Sequence, residues 1–261
     1  MFLAMLLLVA PALYHSDVHD QWTRTFQVSQ TPDLVVRTSD ANIRVDTWNQ
    51  STVEATVSTD GYAIGNGGIT VDANQMGNTI QLDVRFPREY FHVDFHHRSV
   101  DIVFHVPRTL SLNLHTGDGA IEVNGVAGQM TLRSGDGSIS VNGVEGQLQA
   151  TAGDGRVRVR GRFDQLNLKT GDGSIEADVL DGSTMSSDWS VHTGDGHLTL
   201  RVPAAFSADV DIHSSDGHID LGMPVAVSGR TESHDIHGRL NQGGRLLTLH
   251  AGDGSIRLEK L

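Results

Sequence analysis

Between residues 112 and 258, apolar and polar positions alternate in short bursts that return in register. Each burst pair flanks a Gly/Ser-Asp-Gly triplet, with aspartates Asp118, Asp136, Asp154, Asp172, Asp195, Asp216 and Asp253. Six positions before the aspartate stand Leu112, Met130, Leu148, Leu166, Trp189, Val210 and Leu247. Four before stand Leu114, Leu132, Ala150, Leu168, Val191, Ile212 and Leu249. Three after stand Ile121, Ile139, Val157, Ile175, Leu198, Ile219 and Ile256, and five after stand Val123, Val141, Val159, Ala177, Leu200, Leu221 and Leu258. All are apolar, and the interleaved positions are polar except Gly222. A period of two marks a strand with one buried face, and no 3.6 period competes with it. Each repeat therefore predicts two short strands joined at Asp-Gly.

Two short strands cannot bury their own apolar face, so successive repeats must stack on one another. The first four aspartates are spaced by eighteen residues, and this constant register predicts parallel stacking. Eight or nine coils at about 4.8 Å each would give a rod of about 40 Å. The expected fold is an all-β, single-stranded parallel β-solenoid (β-helix or β-roll-like) with coils of eighteen residues. Asp-Gly between alternating runs also suits antiparallel hairpins in a sandwich. Hairpins vary in length, and constant register favours the solenoid. The second turn, NGVAGQ and NGVEGQ, has Val126 and Val144 at its centre and leaves two-faced and three-faced coils both open.

Residues 108–261 read as the regular repeats. Residues 15–107 read as looser strands and first coils of the same continuous domain, with the coil pattern already present in LVVRTSDANIRV around Asp40. The long gap between Asp216 and Asp253 predicts a degenerate coil around Asp235, and Leu180–Asp188 predicts an excursion from the rod. Residues 1–14 predict a signal peptide: Phe2 to Leu13 is apolar, and Ala10-Pro11-Ala12 fits a cleavage site. The run is short for a membrane span, and the first Lys or Arg is Arg24, so the usual basic n-region is missing.

The formal net charge of −13 opposes binding to nucleic acid or anionic lipid, which restricts any expected membrane contact to the N-terminal segment if it stays uncleaved. The chain has no cysteine, which excludes disulfides, thiol catalysis and thiolate metal sites. The sequence has no GxSxG, HExxH or phosphate-binding loop. Paired carboxylates in a loop-walled cleft would mark a carbohydrate-active β-helix enzyme, but coils this short leave no loops to wall one. The expectation is a non-enzyme without a cofactor.

The seven aspartates are expected to serve as structural turn residues. Glycine would supply positive φ and Asp would accept a backbone N–H in an Asx-turn. Calcium is the rival reading, because Gly-Asp nonapeptides bind it between β-roll turns. Here the opposite turn carries Asn124 or Asn142, so half the ligand set is absent. His115, His192, His213 and His250 share one outer column, but Arg133, Thr151 and Lys169 intervene in the sequence, and the column reads as a solvated face. His92, Asp94 and His96 would share one side of a strand, as a candidate transition-metal set or a polar hairpin edge.

The lead-in VPRTLSLNLHTGDGAIEV, the repeats QMTLRSGDGSISV and LNLKTGDGSIEADV, and the early LVVRTSDANIRV resemble the bacterial "putative-adhesin" domain of unknown function, over residues 22–259. The resemblance implies an exported or envelope-associated β-solenoid, in the periplasm or on the cell surface, with no catalytic residues to carry over. It implies a surface binding module for a protein or carbohydrate partner. The alternative is a periplasmic envelope-stress or scaffold component that self-associates end to end.

Overall fold

The computed structural model describes residues 18–65, 67–87, 98–227 and 234–261. The leader segment and the candidate ligands His92, Asp94 and His96 lie outside the described residues. The described chain is all-β. Its first strands are β1 (His19–Gln27), β2 (Asp33–Thr38), β3 (Asn42–Trp48), β4 (Thr52–Asp60), β5 (Thr70–Met76), β6 (Thr79–Arg85) and β7 (Ser99–Pro107). The repeats form β8 (Ser111–Thr116), β9 (Ile121–Asn124), β10 (Ala127–Ser134), β11 (Ile139–Thr151), β12 (Val157–Thr170), β13 (Ile175–Val179), β14 (Trp189–Thr193) and β15 (Leu198–Val202). The chain finishes with β16 (Ala208–Ser214), β17 (Ile219–Gly222), β18 (Ala226–Val227), β19 (Asp235–Leu240), β20 (Leu246–Ala251) and β21 (Ile256–Lys260).

Strands before each aspartate stack into face one, and strands after it into face two. Face one runs β6, β2, β8, β10, then the second halves of β11 and β12, then β14, β20 and β16, all parallel. Face two runs β7, β3, β9, the first halves of β11 and β12, β13, β15, β21 and β17, also parallel. β11 and β12 continue through the second corner, where Val126, Val144 and Phe163 are buried and give the coil a short third side. The inward columns are buried as the alternation predicts, except Ile219 and Leu221 on β17, the terminal strand of face two.

The expectation of one uniformly parallel solenoid needs two corrections. The sheet is mixed: β4 pairs antiparallel with β7 at the end of face two and β1 antiparallel with β4, β5 pairs antiparallel with β6, and β19 pairs antiparallel with β16. Asp235 therefore lies in a capping strand, not a degenerate coil. Stacking order also departs from chain order. The last rung, β20–β21, is wedged between β14–β15 and β16–β17. The β2–β3 rung, around Asp40 as expected, is held between β6–β7 and β8–β9 in the same way.

The first corner explains the Gly-Asp-Gly repeat, by a different cause from the one expected. None of these glycines is left-handed. They are required because the turns stack in close contact. The backbone N–H of Gly153 donates to the Gly135 carbonyl at 2.6 Å, Gly194 to Gly171 at 2.7 Å, and Gly252 to Gly194 at 2.6 Å. A Cβ on Gly153 would sit 2.6 Å from the Gly135 oxygen, and one on Gly155 would press still closer on the Gly137 oxygen. Inside the corner, buried hydroxyls clamp the next turn. Thr116 donates to the Ala41 carbonyl, Ser134 to Gly119, Thr170 to Gly155, Thr193 to Gly173 and Ser214 to Gly254, at 2.8–3.0 Å. Thr38 occupies the same position in the β2–β3 rung, and its buried hydroxyl finds no partner among the described residues. In its neighbouring rung, thirteen residues separate β6 from β7.

Two stability predictions follow from this packing. Gly155→Ala should destabilise by about 2 kcal/mol or more because the added methyl meets a fixed carbonyl, whereas Asp136→Ala should stay within about 0.5 kcal/mol. Urea unfolding of the two variants checks the contrast, and the reverse ranking would refute the steric account. Ile139→Asp buries an unpaired carboxylate and should unfold the neighbouring rungs, read as a lost or strongly lowered thermal transition.

Candidate functional site

The outer surface carries three longitudinal features, each made by one sequence column. The first is an exposed ridge of turn aspartates. Stacking places them in the order Asp40, Asp118, Asp136, Asp154, Asp172, Asp195, Asp253 and Asp216, at about 4.8 Å per rung. Each of Asp118, Asp136, Asp154, Asp172 and Asp195 leans its Oδ1 toward the first turn glycine of the next rung. No side-chain hydrogen bond of the expected Asx type holds Asp118, Asp136, Asp154, Asp172, Asp195, Asp216 or Asp253 among the described residues. Like charges at this spacing repel by under about 1 kcal/mol per neighbour in water. The corner is held instead by the buried hydroxyl two residues before the aspartate, which donates to a carbonyl of the neighbouring rung; Ser214 also accepts from the Gly217 N–H of its own turn at 3.0 Å. The sequence carries that signal as Thr116, Ser134, Thr170, Thr193 and Ser214, a column that directly continues the inward strand positions. Among the described residues, no group of three or more His, Asp or Glu side chains is arranged to hold a metal ion.

The second feature is a histidine stack on face one. In sequence, His192, His213 and His250 are separated by other repeats. Insertion of β20 between β14 and β16 makes them direct neighbours. The His192 and His250 rings stack with centroids 4.6 Å apart and an interplanar angle of 11°, and His250 and His213 stack at 5.1 Å and 17°. The stack joins Lys169 on the β12 side and Asp235 of β19 on the other, where the His213 Nδ1 meets the Asp235 carboxylate. His237 Nδ1 lies 3.1 Å from Asp211 Oδ1 on the adjoining column. His115 remains apart, between Arg37 and Arg133. Partial burial pushes the His192 pKa down, helped by the charges of His250 and Lys169. Partial burial also lowers His250, with His213 adding to the effect and Asp211 opposing it.

The third feature is a pair of charge ladders on face two. One column runs Arg44, Glu122, Ser140, Arg158, Glu176, Thr199, Arg257 and Asp220, and the next runs Asp46, Asn124, Asn142, Arg160, Asp178, Arg201 and Glu259. Opposite charges pair between rungs: Arg158 with Glu176 at 3.3 Å, Arg160 with Asp178 at 3.4 Å, Arg201 with Asp178 at 3.0 Å and with Glu259 at 2.8 Å, and Arg257 with Asp220 at 3.0 Å. At the other end Arg44 bonds Asp46 at 2.7 Å, and Asn124 donates to both Asp46 and Glu122. Burial works against the charge on Asp46, but hydrogen bonds from Arg44 and Asn124 hold its pKa below the usual carboxylate value. Hydrogen bonding to Asp178 raises that of Arg201 against the opposing effect of burial. The ladders are interrupted at Ser140 and Asn142, which leave a notch of about 350 Å³ between Glu122 and Asn124 on one side and Arg158 and Arg160 on the other. A second notch, of about 380 Å³, lies further along the same face beside His197, Thr199, His218 and Arg257.

Stacked rungs, tight corners and polar outer faces define an all-β repeat protein. The chain belongs to the Toastrack DUF4097 family, whose model matches residues 31–259. This bears out the resemblance seen in its repeats. Solved structures similar to this chain include three bacterial proteins. One, from Clostridium sporogenes ATCC 15579, is described as a "putative cell adhesion protein", with 11% identity, 94% of this chain and 100% of that one covered, and a TM-score of 0.45. A "putative lipid binding protein" from Parabacteroides distasonis ATCC 8503 has 13% identity, coverage of 92% and 97%, and a TM-score of 0.44. A "putative adhesin" from Parabacteroides merdae ATCC 43184 has 10% identity, coverage of 92% and 96%, and a TM-score of 0.43. None of the curated proteins compared matches the chain.

The histidine stack generates a pH prediction. Lowered folded pKa values mean that the unfolded chain takes up protons on His192 and His250 first as pH falls. Their contribution to stability is therefore full above the ordinary histidine value of 6.5 and is lost as pH drops below it toward the folded values. Thermal denaturation should show Tm falling on acidification through this window, and His192→Asn/His250→Asn should flatten that part of the profile. An unchanged slope in the double variant would assign the acid sensitivity elsewhere.

Proposed function

We propose that the chain is an exported, non-enzymatic binding module of the bacterial cell envelope, which presents the flat outer faces of its rungs to a protein or carbohydrate partner. The observation that carries this reading is the stacking of three-residue turns. The repeats spend their residues on inward apolar columns and outward polar columns, and the polar columns form long, regular hydrogen-bonding surfaces. Recognition on such a surface is spread over many rungs, as in other stacked-repeat proteins.

A second reading, assembly through the rod ends, is favoured by β17. It pairs on one side with β21, and Ile219 and Leu221 on it are less buried than their counterparts in the other rungs.

Fractionation of native cells, with protease added to intact cells, tests the primary reading. Cleavage on intact cells is the expected result for a surface module. Protection until the outer envelope is opened would move the protein to the periplasm and favour the scaffold reading. A cytosolic pool would overturn export.

A further inference from the structure

We infer that face two carries a track for an extended, neutral polysaccharide, with its hydroxyl groups seated in the two notches that interrupt the charge ladders. The inference rests on the binding-module reading and specifies its ligand class.

The first notch exists because Ser140 is short and uncharged between Glu122 and Arg158, and Asn142 lies between Asn124 and the longer Arg160. No hydrogen bond from either side chain is made within the described structure, so hydroxyl and amide groups line the floor with bonding capacity to spare. Glu122 and Asn124 form one wall, Arg158 and Arg160 the other. Each arginine is tied to one acidic partner through one nitrogen, and a guanidinium carries five N–H donors. Donors and acceptors therefore face each other across a gap of about 350 Å³.

Charge balance selects the ligand. The basic groups around the notch, Arg158, Arg160 and Arg201, are matched by Glu122, Glu176 and Asp178. An anionic or cationic ligand would break these pairs and gain no net attraction. A neutral polyol loses no charge pairing and can bond donors and acceptors together. The second notch repeats the design: Arg257 is paired with Asp220, and Thr199, Ser255 and the imidazoles of His197 and His218 supply further polar groups. Ser140 on β11 and Arg257 on β21 share one outer column four rungs apart, about 19 Å at strand spacing. Two like notches at that separation on one flat face suit a polymer lying along the stack. Neither notch includes a Trp, Tyr or Phe to stack on a sugar ring. Single-site affinity should be weak, and length should strengthen it by engaging both notches.

The experiment titrates the full chain with cello-, malto- and chito-oligosaccharides of two and six units, and with hexagalacturonate as the anionic comparison, followed by calorimetry. A neutral hexamer should bind in the millimolar range or tighter, its dimer at least tenfold more weakly, and hexagalacturonate more weakly than the neutral chain. Ser140→Leu/Asn142→Leu, which fills the notch on an outward surface, should weaken the neutral hexamer at least fivefold at unchanged Tm. Gln149→Leu on face one should leave binding unaltered. Failure of every neutral oligosaccharide to bind saturably, preference for hexagalacturonate, or equal loss with Gln149→Leu would overturn the track. None of these outcomes bears on protease access in intact cells, so failure of the track and failure of the envelope reading remain distinguishable.

Discussion

The structure depends on how closely one turn can lie on the next. In a stack of strands the hydrogen-bond spacing is fixed, and the corners must keep the same spacing or the rungs splay. Here the corners keep it through a backbone ladder from Gly117 to Ser215, with N–H groups of each turn donating to carbonyls of the neighbouring turn. Between its ends the ladder leaves no room for side chains, because a Cβ at Gly135, Gly153, Gly171, Gly194 or Gly252 would meet a carbonyl oxygen at 2.6–2.8 Å. The exceptions obey the same rule. Ser39 and Ala41 flank Asp40 in the β2–β3 rung, whose outer neighbour has thirteen residues between its two strands. The aspartate between the glycines is then the one turn residue whose side chain can point freely to water.

Both ends of the stack are built in a related way, although β17 pairs on one side only among the described residues. Each terminal rung of the chain is placed one layer in, and a rung adjacent to it in sequence is laid over it. Antiparallel strands then cover β6, β7 and β16, which removes flat parallel edges that would invite pairing with another chain. The wedged last rung also brings together columns that chain order keeps apart, as the stack of His192, His250 and His213 shows. A pH-sensitive contact thus sits where the chain closes on itself.

The two faces use the same geometry for different chemistry. Face two alternates charge from rung to rung, so its ladders neutralise themselves and leave isolated polar notches where the alternation lapses at Ser140 and Asn142. Face one has Arg37, His115, Arg133, Lys169 and three stacked imidazoles in one column beside a column of amides and hydroxyls. Individual exposed pairs in such ladders contribute little to stability. Their consequence is the pattern of charge and hydrogen-bonding capacity offered to a partner.

What the sequence determined by itself is the rung. Alternation at period two named Leu132, Ile139, Val157 and their counterparts as inward, and they are buried. Constant spacing over the first repeats set the register in which β8 to β13 stack. These are local properties, because the period of a strand and the length of a turn depend on a few adjacent residues. The left-handed glycines and Asx-turns expected at Gly-Asp-Gly were misread: a turn that bars Cβ through crowding from a neighbouring rung looks the same in sequence as one that needs positive φ. Only the tertiary structure decided the order of rungs, the antiparallel caps and the adjacency of His192 with His250. The rungs share one register and similar inward columns, so the alternation does not distinguish β20–β21 from β16–β17 as the neighbour of β14–β15. The observed order is a long-range choice, and it sets which outward side chains meet.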